Sequence, residues 1–123
     1  MTPEGRVKAK LKRLLKEYKP NIYTHWPVLN GMGKPELDCN LVYTGIAVSI
    51  ECKPPGVAFT KRQCDTTEEK QAGGTIVLGY RGHEVDDEVL FSVMRLLKDG
   101  GDGYIEACHL AKLHLESEKY IKS

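Results

Sequence analysis

Between Glu36 and Lys53 the chain reads ELDCNLVYTGIAVSIECK, with apolar side chains at every second position on either side of Thr44-Gly45. Alternation of period two marks a strand with one buried face, so this stretch predicts a β-hairpin. In the first arm Leu37, Cys39, Leu41 and Tyr43 share a face, and in the second Ile46, Val48, Ile50 and Cys52 do. Only a register that sets Cys39 opposite Ile50 and Leu41 opposite Val48 buries both sets together. A two-residue Thr-Gly loop fits that register, as does a four-residue loop that includes Tyr43 and Ile46, whereas a three-residue bulged loop would turn Asp38 to the other face.

Helical periodicity surrounds the hairpin. Thr2 as a cap and Pro3 at the first helical position open an amphipathic helix over residues 3–18, with Val7, Leu11, Leu14, Leu15 and Tyr18 on its apolar stripe. Residues 21–28 (NIYTHWPV) read as a strand that Pro27 ends or confines to an edge. Tyr23 and Trp26 within it have the size of core or base-stacking groups, and core is the expected role. Asn30 to Pro35 is a turn-rich loop. After Pro54-Pro55-Gly56, the capping box Thr60-Lys61-Arg62-Gln63 opens a second helix, which stops at Ala72-Gly73-Gly74. A buried strand follows at Thr75–Tyr80, then a helix opened by Asp86-Asp87-Glu88 whose core face uses Val89, Leu90, Val93, Met94 and Leu97. Beyond the Gly100–Gly103 loop, residues 104–121 form a final helix with Tyr104, Cys108, Ala111 and Leu115 in step, either capping the core or making a dimer contact.

The hairpin register places like charges opposite each other, because Asp38 falls across from Glu51, while Glu36 falls across from Lys53. Two carboxylates held together are either a solvated outer face or the seat of a hard divalent cation such as magnesium or manganese. Glu4 lies on the inward stripe of the first helix, so it either answers the helix dipole or joins that site as a third acid. Gln63 is accounted for by the capping box alone.

Net charge is only +1, but its distribution is uneven. Residues 1–19 carry Arg6, Lys8, Lys10, Lys12, Arg13, Lys16 and Lys19 against Glu4 and Glu17, a footprint suited to phosphates or to a solvated helix face. Lys61 and Arg62 in the first turn of a helix oppose the dipole preference, which makes sense if that turn faces phosphate. The 4 cysteines lack metal-site or redox spacing. A zinc site built from Cys108, His109, His83 and His114 is the weaker metal candidate, since helical neighbours point apart. With 123 residues and neither an apolar secretory segment nor a membrane-length apolar run, the expectation is one cytoplasmic domain spanning 1–123, its core at about 2–80 and a helical C-terminal extension at about 84–122.

The order helix, three strands carrying Asp and then Glu-x-Lys, helix, strand, helix resembles the PD-(D/E)XK nuclease superfamily, and within it the phage-type VRR-NUC nucleases. The segments TPEGRVKAKLK, PVLNGMGKPELD, IECKPPG, FTKRQ and AGG, in this order, carry the resemblance over about residues 2–78. It implies an α/β, restriction-endonuclease-like core with a small mixed sheet, flanked by helices and followed by extra C-terminal helices. It also implies Asp38, Glu51, Lys53 and Gln63 as catalytic residues, and Asp38, Glu51, the Cys52 carbonyl and Glu4 as ligands of Mg2+ or Mn2+. Lys8, Lys12, Lys61 and Arg62 would then hold DNA phosphates. Leu37 stands where the superfamily name puts proline, and Glu36 adds an acid opposite Lys53. The expected activity is metal-dependent, structure-selective DNA endonuclease, with junction resolution by a homodimer as its most specific form. The alternatives are a monomeric flap or single-strand nuclease, or a non-catalytic nucleic-acid-binding module.

Overall fold

A computed structural model describes residues 1–28 and 33–122. The described chain runs α1 (Pro3–Lys16), β1 (Ile22–His25), β2 (Cys39–Tyr43), β3 (Ile46–Cys52), α2 (Lys61–Ala72), β4 (Ile76–Tyr80), α3 (Glu84–Leu97), a 3-10 turn (Gly101–Gly103) and α4 (Tyr104–Ser117). One four-stranded mixed sheet is formed in the order β1-β2-β3-β4, antiparallel except for the β3–β4 pair. Of the turn-rich stretch expected at Asn30–Pro35, residues 30–32 lie outside the described residues.

The hairpin has the register that buries both apolar sets, with Cys39 opposite Ile50 and Leu41 opposite Val48. Its Thr44-Gly45 loop has φ of 51° and 86°, the doubly positive backbone that matches strand twist in a two-residue hairpin. On one face of the sheet Cys39, Leu41, Val48, Ile50, Cys52, Ile76, Leu78 and Tyr80 meet Val7, Leu11 and Leu15 of α1 and Leu90, Val93, Met94 and Leu97 of α3. Lys10 fastens these two helices, donating to the Gly82 carbonyl at 2.7 Å and to Asp87 at 3.0 Å.

The second face of the sheet is covered too. A smaller cluster of Leu37, Phe59, Val77, Leu115 and Tyr120 lies there, with Cys64 of α2 against it. Leu37 was expected to share the face of Cys39, but the regular strand begins only at Cys39, and the chain before it delivers Leu37 to this second cluster instead. The close approach of Tyr120 explains Gly79 in β4: a Cβ there would lie 2.5 Å from the Tyr120 ring. Helix α4 serves both layers, giving Ala107 and Ala111 to the main core and Leu115 to the smaller cluster. Both C-terminal helices contribute side chains to the main core, Leu90, Val93, Met94 and Leu97 from α3 and Ala107 and Ala111 from α4.

Several boundaries differ from expectation, with α1 ending at Lys16 rather than at residue 18 and α4 at Ser117 rather than at residue 121. Helix α3 begins at Glu84, ahead of Asp86, because Asp86 serves as its third residue and accepts the His83 N–H at 3.1 Å. The first strand is shorter than residues 21–28, ending at His25 where pairing with Asn40 stops. Tyr23 lies on the outer face of β1, 67% exposed, contrary to the core role expected for it. Trp26 packs against the main cluster and is half-buried. No described helix is long and apolar enough to cross a membrane.

Candidate acidic metal centre

The centre forms where α1, the entry to β2 and the end of β3 converge. Glu4 sits in the first turn of α1, Asp38 just before β2, and Glu51 near the end of β3. One carboxylate oxygen from each lies within 4.8 Å of the others. Among the described residues this is the group of His, Cys, Asp or Glu side chains arranged to hold a metal ion. Thr2 positions Glu4 by capping the Gly5 N–H at 3.0 Å, which leaves the Glu4 carboxylate out of a capping box.

Asp38 and Glu51 are buried and fixed by the backbone of the opposite strand. The Asp38 N–H donates to Glu51 Oε1 at 3.1 Å, and the Cys52 N–H donates to Asp38 Oδ2 at 2.9 Å. Lys8 adds an ammonium 3.3 Å from Asp38 Oδ1, so this lysine faces the acidic centre from α1. Burial lowers the Lys8 pKa, but Asp38 outweighs it and the net shift is upward, which keeps the cation.

Gln63 combines the two roles open to it. Its Oε1 accepts the Thr60 N–H at 2.9 Å, closing the capping box of α2, while its Nε2 donates to Glu51 Oε2 at 2.9 Å. One amide thus ties the start of α2 to the acidic centre. Lys53 follows Glu51 by two residues and is 7% exposed. Glu36 does not compete for it: the Glu36 carboxylate pairs with Lys70 at 2.7 Å and accepts the Leu37 N–H at 2.9 Å. Cys52 is fully buried with its side chain in the main apolar cluster, and burial followed by the Asp38 charge pushes its thiol far up.

The remaining expected residues lie farther out. Lys12 is exposed, with its ammonium 4.7 Å from the Trp26 ring centroid. Lys61 and Arg62 are exposed at the start of α2, and Lys61 pairs with Asp65 one turn on at 3.1 Å. The zinc alternative is dispersed: His114 is buried against Asp86 at 2.9 Å, while Cys108 and His109 line a separate groove between α2, β4 and α4.

Burial, and then the Asp38 charge, push the Glu51 carboxyl up from 4.5 to about 8. A folded pKa above the unfolded one gives stability that is present below the unfolded value and lost as pH rises toward the folded one. In EDTA, the melting temperature of Glu51→Gln minus that of the native chain is therefore expected to grow between pH 5 and pH 9, by an amount equivalent to roughly 1–3 kcal/mol. A pH-independent difference in thermal melts would show that Glu51 is not strained by its own charge.

Sequence reasoning did not find Arg81, Asp86 and Tyr120, which hold the protein behind this centre. Asp86 Oδ1 accepts the Tyr120 hydroxyl at 2.7 Å and lies 2.9 Å from His114 Nε2, while its Oδ2 accepts the Arg81 and His83 N–H groups, both at 3.1 Å. Arg81 stacks 3.9 Å from the Tyr120 ring centroid and donates to the carbonyls of Val57 and Glu118 at 3.0 and 2.7 Å. The available signal was an acid at the third position of a helix, which reads as an ordinary cap. No family model, no curated protein and no solved structure matches this chain.

Proposed function

We propose that the protein is a divalent-metal-dependent nuclease of the PD-(D/E)XK type, similar to the VRR-NUC nucleases, hydrolysing phosphodiester bonds in branched or junction-containing DNA. The observation that carries this reading is the convergence of Glu4, Asp38 and Glu51 within 4.8 Å of one another, with Lys53 two residues beyond Glu51. A buried pair of carboxylates is costly unless something positive offsets it. Lys8 pairs with Asp38 and the Lys53 charge lowers the Glu51 pKa, yet burial and the Asp38 charge leave that pKa raised.

The donor set fits a hard cation such as Mg2+ or Mn2+, for which carboxylate oxygens are the preferred ligands. Glu4, Asp38 and Glu51 would hold it, with the Cys52 carbonyl as a further ligand. When bound, the cation supplies Lewis acidity toward a phosphoryl oxygen and a nucleophile at neutral pH. The chain supplies the rest. Lys53 places a fixed ammonium where negative charge builds on the phosphate, in a setting shielded from water where that charge counts for more. Gln63 holds Glu51 in place from α2, and the Cys52 N–H holds Asp38 from β3. Lys8, the outer face of α1, Lys61 and Arg62 contribute phosphate contacts that give affinity without reading sequence.

Action as a homodimer on four-way junctions is the more specific form of this reading. The outward residues Ile105 and Leu113 of α4, 66% and 62% exposed, supply apolar surface for such a contact. The test is cleavage of labelled four-way junction, flap, duplex and single-stranded DNA in magnesium, manganese and EDTA, with Glu51→Ala in parallel. Metal-dependent products that disappear with Glu51→Ala are expected, with paired symmetric nicks if a dimer resolves junctions. Binding without products in either metal would replace this reading with a non-catalytic nucleic-acid-binding module.

A further inference from the structure

One turn of α1 beyond Lys8, which pairs with Asp38, an open groove of about 300 Å³ lies between α1 and β1. Its walls include Lys12, Lys16 and Lys19 from the α1 side and Ile22, Thr24 and Trp26 from the β1 side, and none of its lining residues is acidic. The groove is therefore cationic on one wall and apolar or aromatic on the other, which is the pairing that unpaired nucleic acid requires.

The groove is also oriented. Glu4, Lys8, Lys12 and Lys16 stand four residues apart on α1, so they follow one ridge at intervals of about 6 Å. The ridge starts in the acidic centre at Glu4, touches Asp38 through Lys8, and reaches the Trp26 ring through Lys12. On the other wall, β1 runs antiparallel to β2 and its last pair is His25 with Asn40, so Trp26 follows at the level of the chain that leads back to Asp38. The Trp26 end of the groove thus lies toward the acidic centre, and the Lys19 and Ile22 end lies away from it.

We propose that this groove receives an unpaired nucleotide of the strand that leaves the acidic centre, its base stacking on Trp26 and its flanking phosphates held by Lys12, Lys16 and Lys19. The proposal rests on the nucleolytic reading above and, among branched DNAs, favours flaps and junctions opened at the branch point, which carry an unpaired segment next to the cleaved bond, over fully paired four-way junctions. A paired base does not offer its π-face to a protein groove, whereas an unpaired one does. In the free protein the Lys12 ammonium covers the indole. An exposed cation–π contact is weaker than a stacked base, so the base displaces the ammonium, which is then free to meet a phosphate.

Trp26 is the only tryptophan in the chain, so its fluorescence reports this groove alone. The experiment is titration with a short oligothymidylate in EDTA, where cleavage plays no part. Quenching of Trp26 is expected with the oligothymidylate and not with an abasic oligomer of equal length. By fluorescence anisotropy, Trp26→Leu should weaken binding about 5- to 100-fold. The double variant Lys12→Ala, Lys16→Ala should reduce the slope of log K against log salt by about 1.4. Oligomer binding that leaves Trp26 unquenched, an equal affinity in Trp26→Leu folded by circular dichroism, an unchanged salt slope, or no binding at all would overturn the groove. Quenching without cleavage in magnesium would sink the nuclease reading and keep the groove, while cleavage without quenching would do the reverse.

Discussion

Lys53→Met is expected to lower the rate of DNA cleavage by about 10²–10³-fold at saturating metal, without loss of fold. The side chain is 7% exposed, so its aliphatic stem is enclosed and a methionine of similar length fills the same space. What disappears is the ammonium, a cation one residue past the end of β3 whose charge acts on Glu51. If that ammonium meets negative charge only as the phosphate reacts, its loss falls on kcat and leaves KM nearly unchanged. Lys53 also lowers the Glu51 pKa, so its removal raises that pKa further, and the comparison belongs at pH above 8 as well as at neutrality. Asp38→Asn provides the contrast. Asparagine keeps an acceptor for the Cys52 N–H but removes a carboxylate from the metal-capable group and leaves Lys8 without its partner. Its loss of activity should therefore be accompanied by weaker metal binding, which isothermal titration with Mn2+ reads directly. Near-native single-turnover rates in Lys53→Met would remove Lys53 from the site.

The hairpin was legible because a period of two leaves one register that buries both apolar sets, and that register alone brings Asp38 beside Glu51. Glu4 followed from helical spacing, which puts it on the inward stripe. From its own segment Gln63 read as a cap, and it was turned toward the site only through the family resemblance, since its second bond, to Glu51, depends on how α2 is set against the sheet. Lys8 read as a surface cation because sequence places it on α1 without saying that α1 begins at the acidic centre. Leu37 was misplaced for a related reason: alternation was carried one step beyond the residues that are strand. The Asp86 hub was hidden more completely. Its partners Arg81, His114 and Tyr120 are separated along the chain, and nothing in local periodicity joins them.

That hub should dominate stability. Asp86→Ala is expected to cost about 3–5 kcal/mol, out of a total of about 5–15 kcal/mol for a domain, read as a lowered urea midpoint. One buried carboxylate satisfies the Tyr120 hydroxyl, the His114 ring and the backbone N–H groups of Arg81 and His83, and removing it leaves all of them without that acceptor. Burial alone would raise the Asp86 pKa, but the bonds from His114 and Tyr120 reverse this and hold it below 3.8. Its contribution is thus present above the unfolded value and lost as pH falls through the folded one, so the native chain should lose stability below about pH 4. Asp86→Asn, which keeps one acceptor, should fall less at neutral pH and lack that part of the acid loss. The damage should also reach the acidic centre. Tyr120 accepts the Phe59 N–H through its carbonyl at 2.8 Å, and Arg81 holds the Val57 carbonyl at 3.0 Å, so both anchor the chain leading to Thr60. Thr60 in turn orients the Gln63 amide that grips Glu51. A folded Asp86→Asn with native cleavage but a lowered urea midpoint would confine the hub to stability, whereas a joint fall in both would show that it positions Gln63.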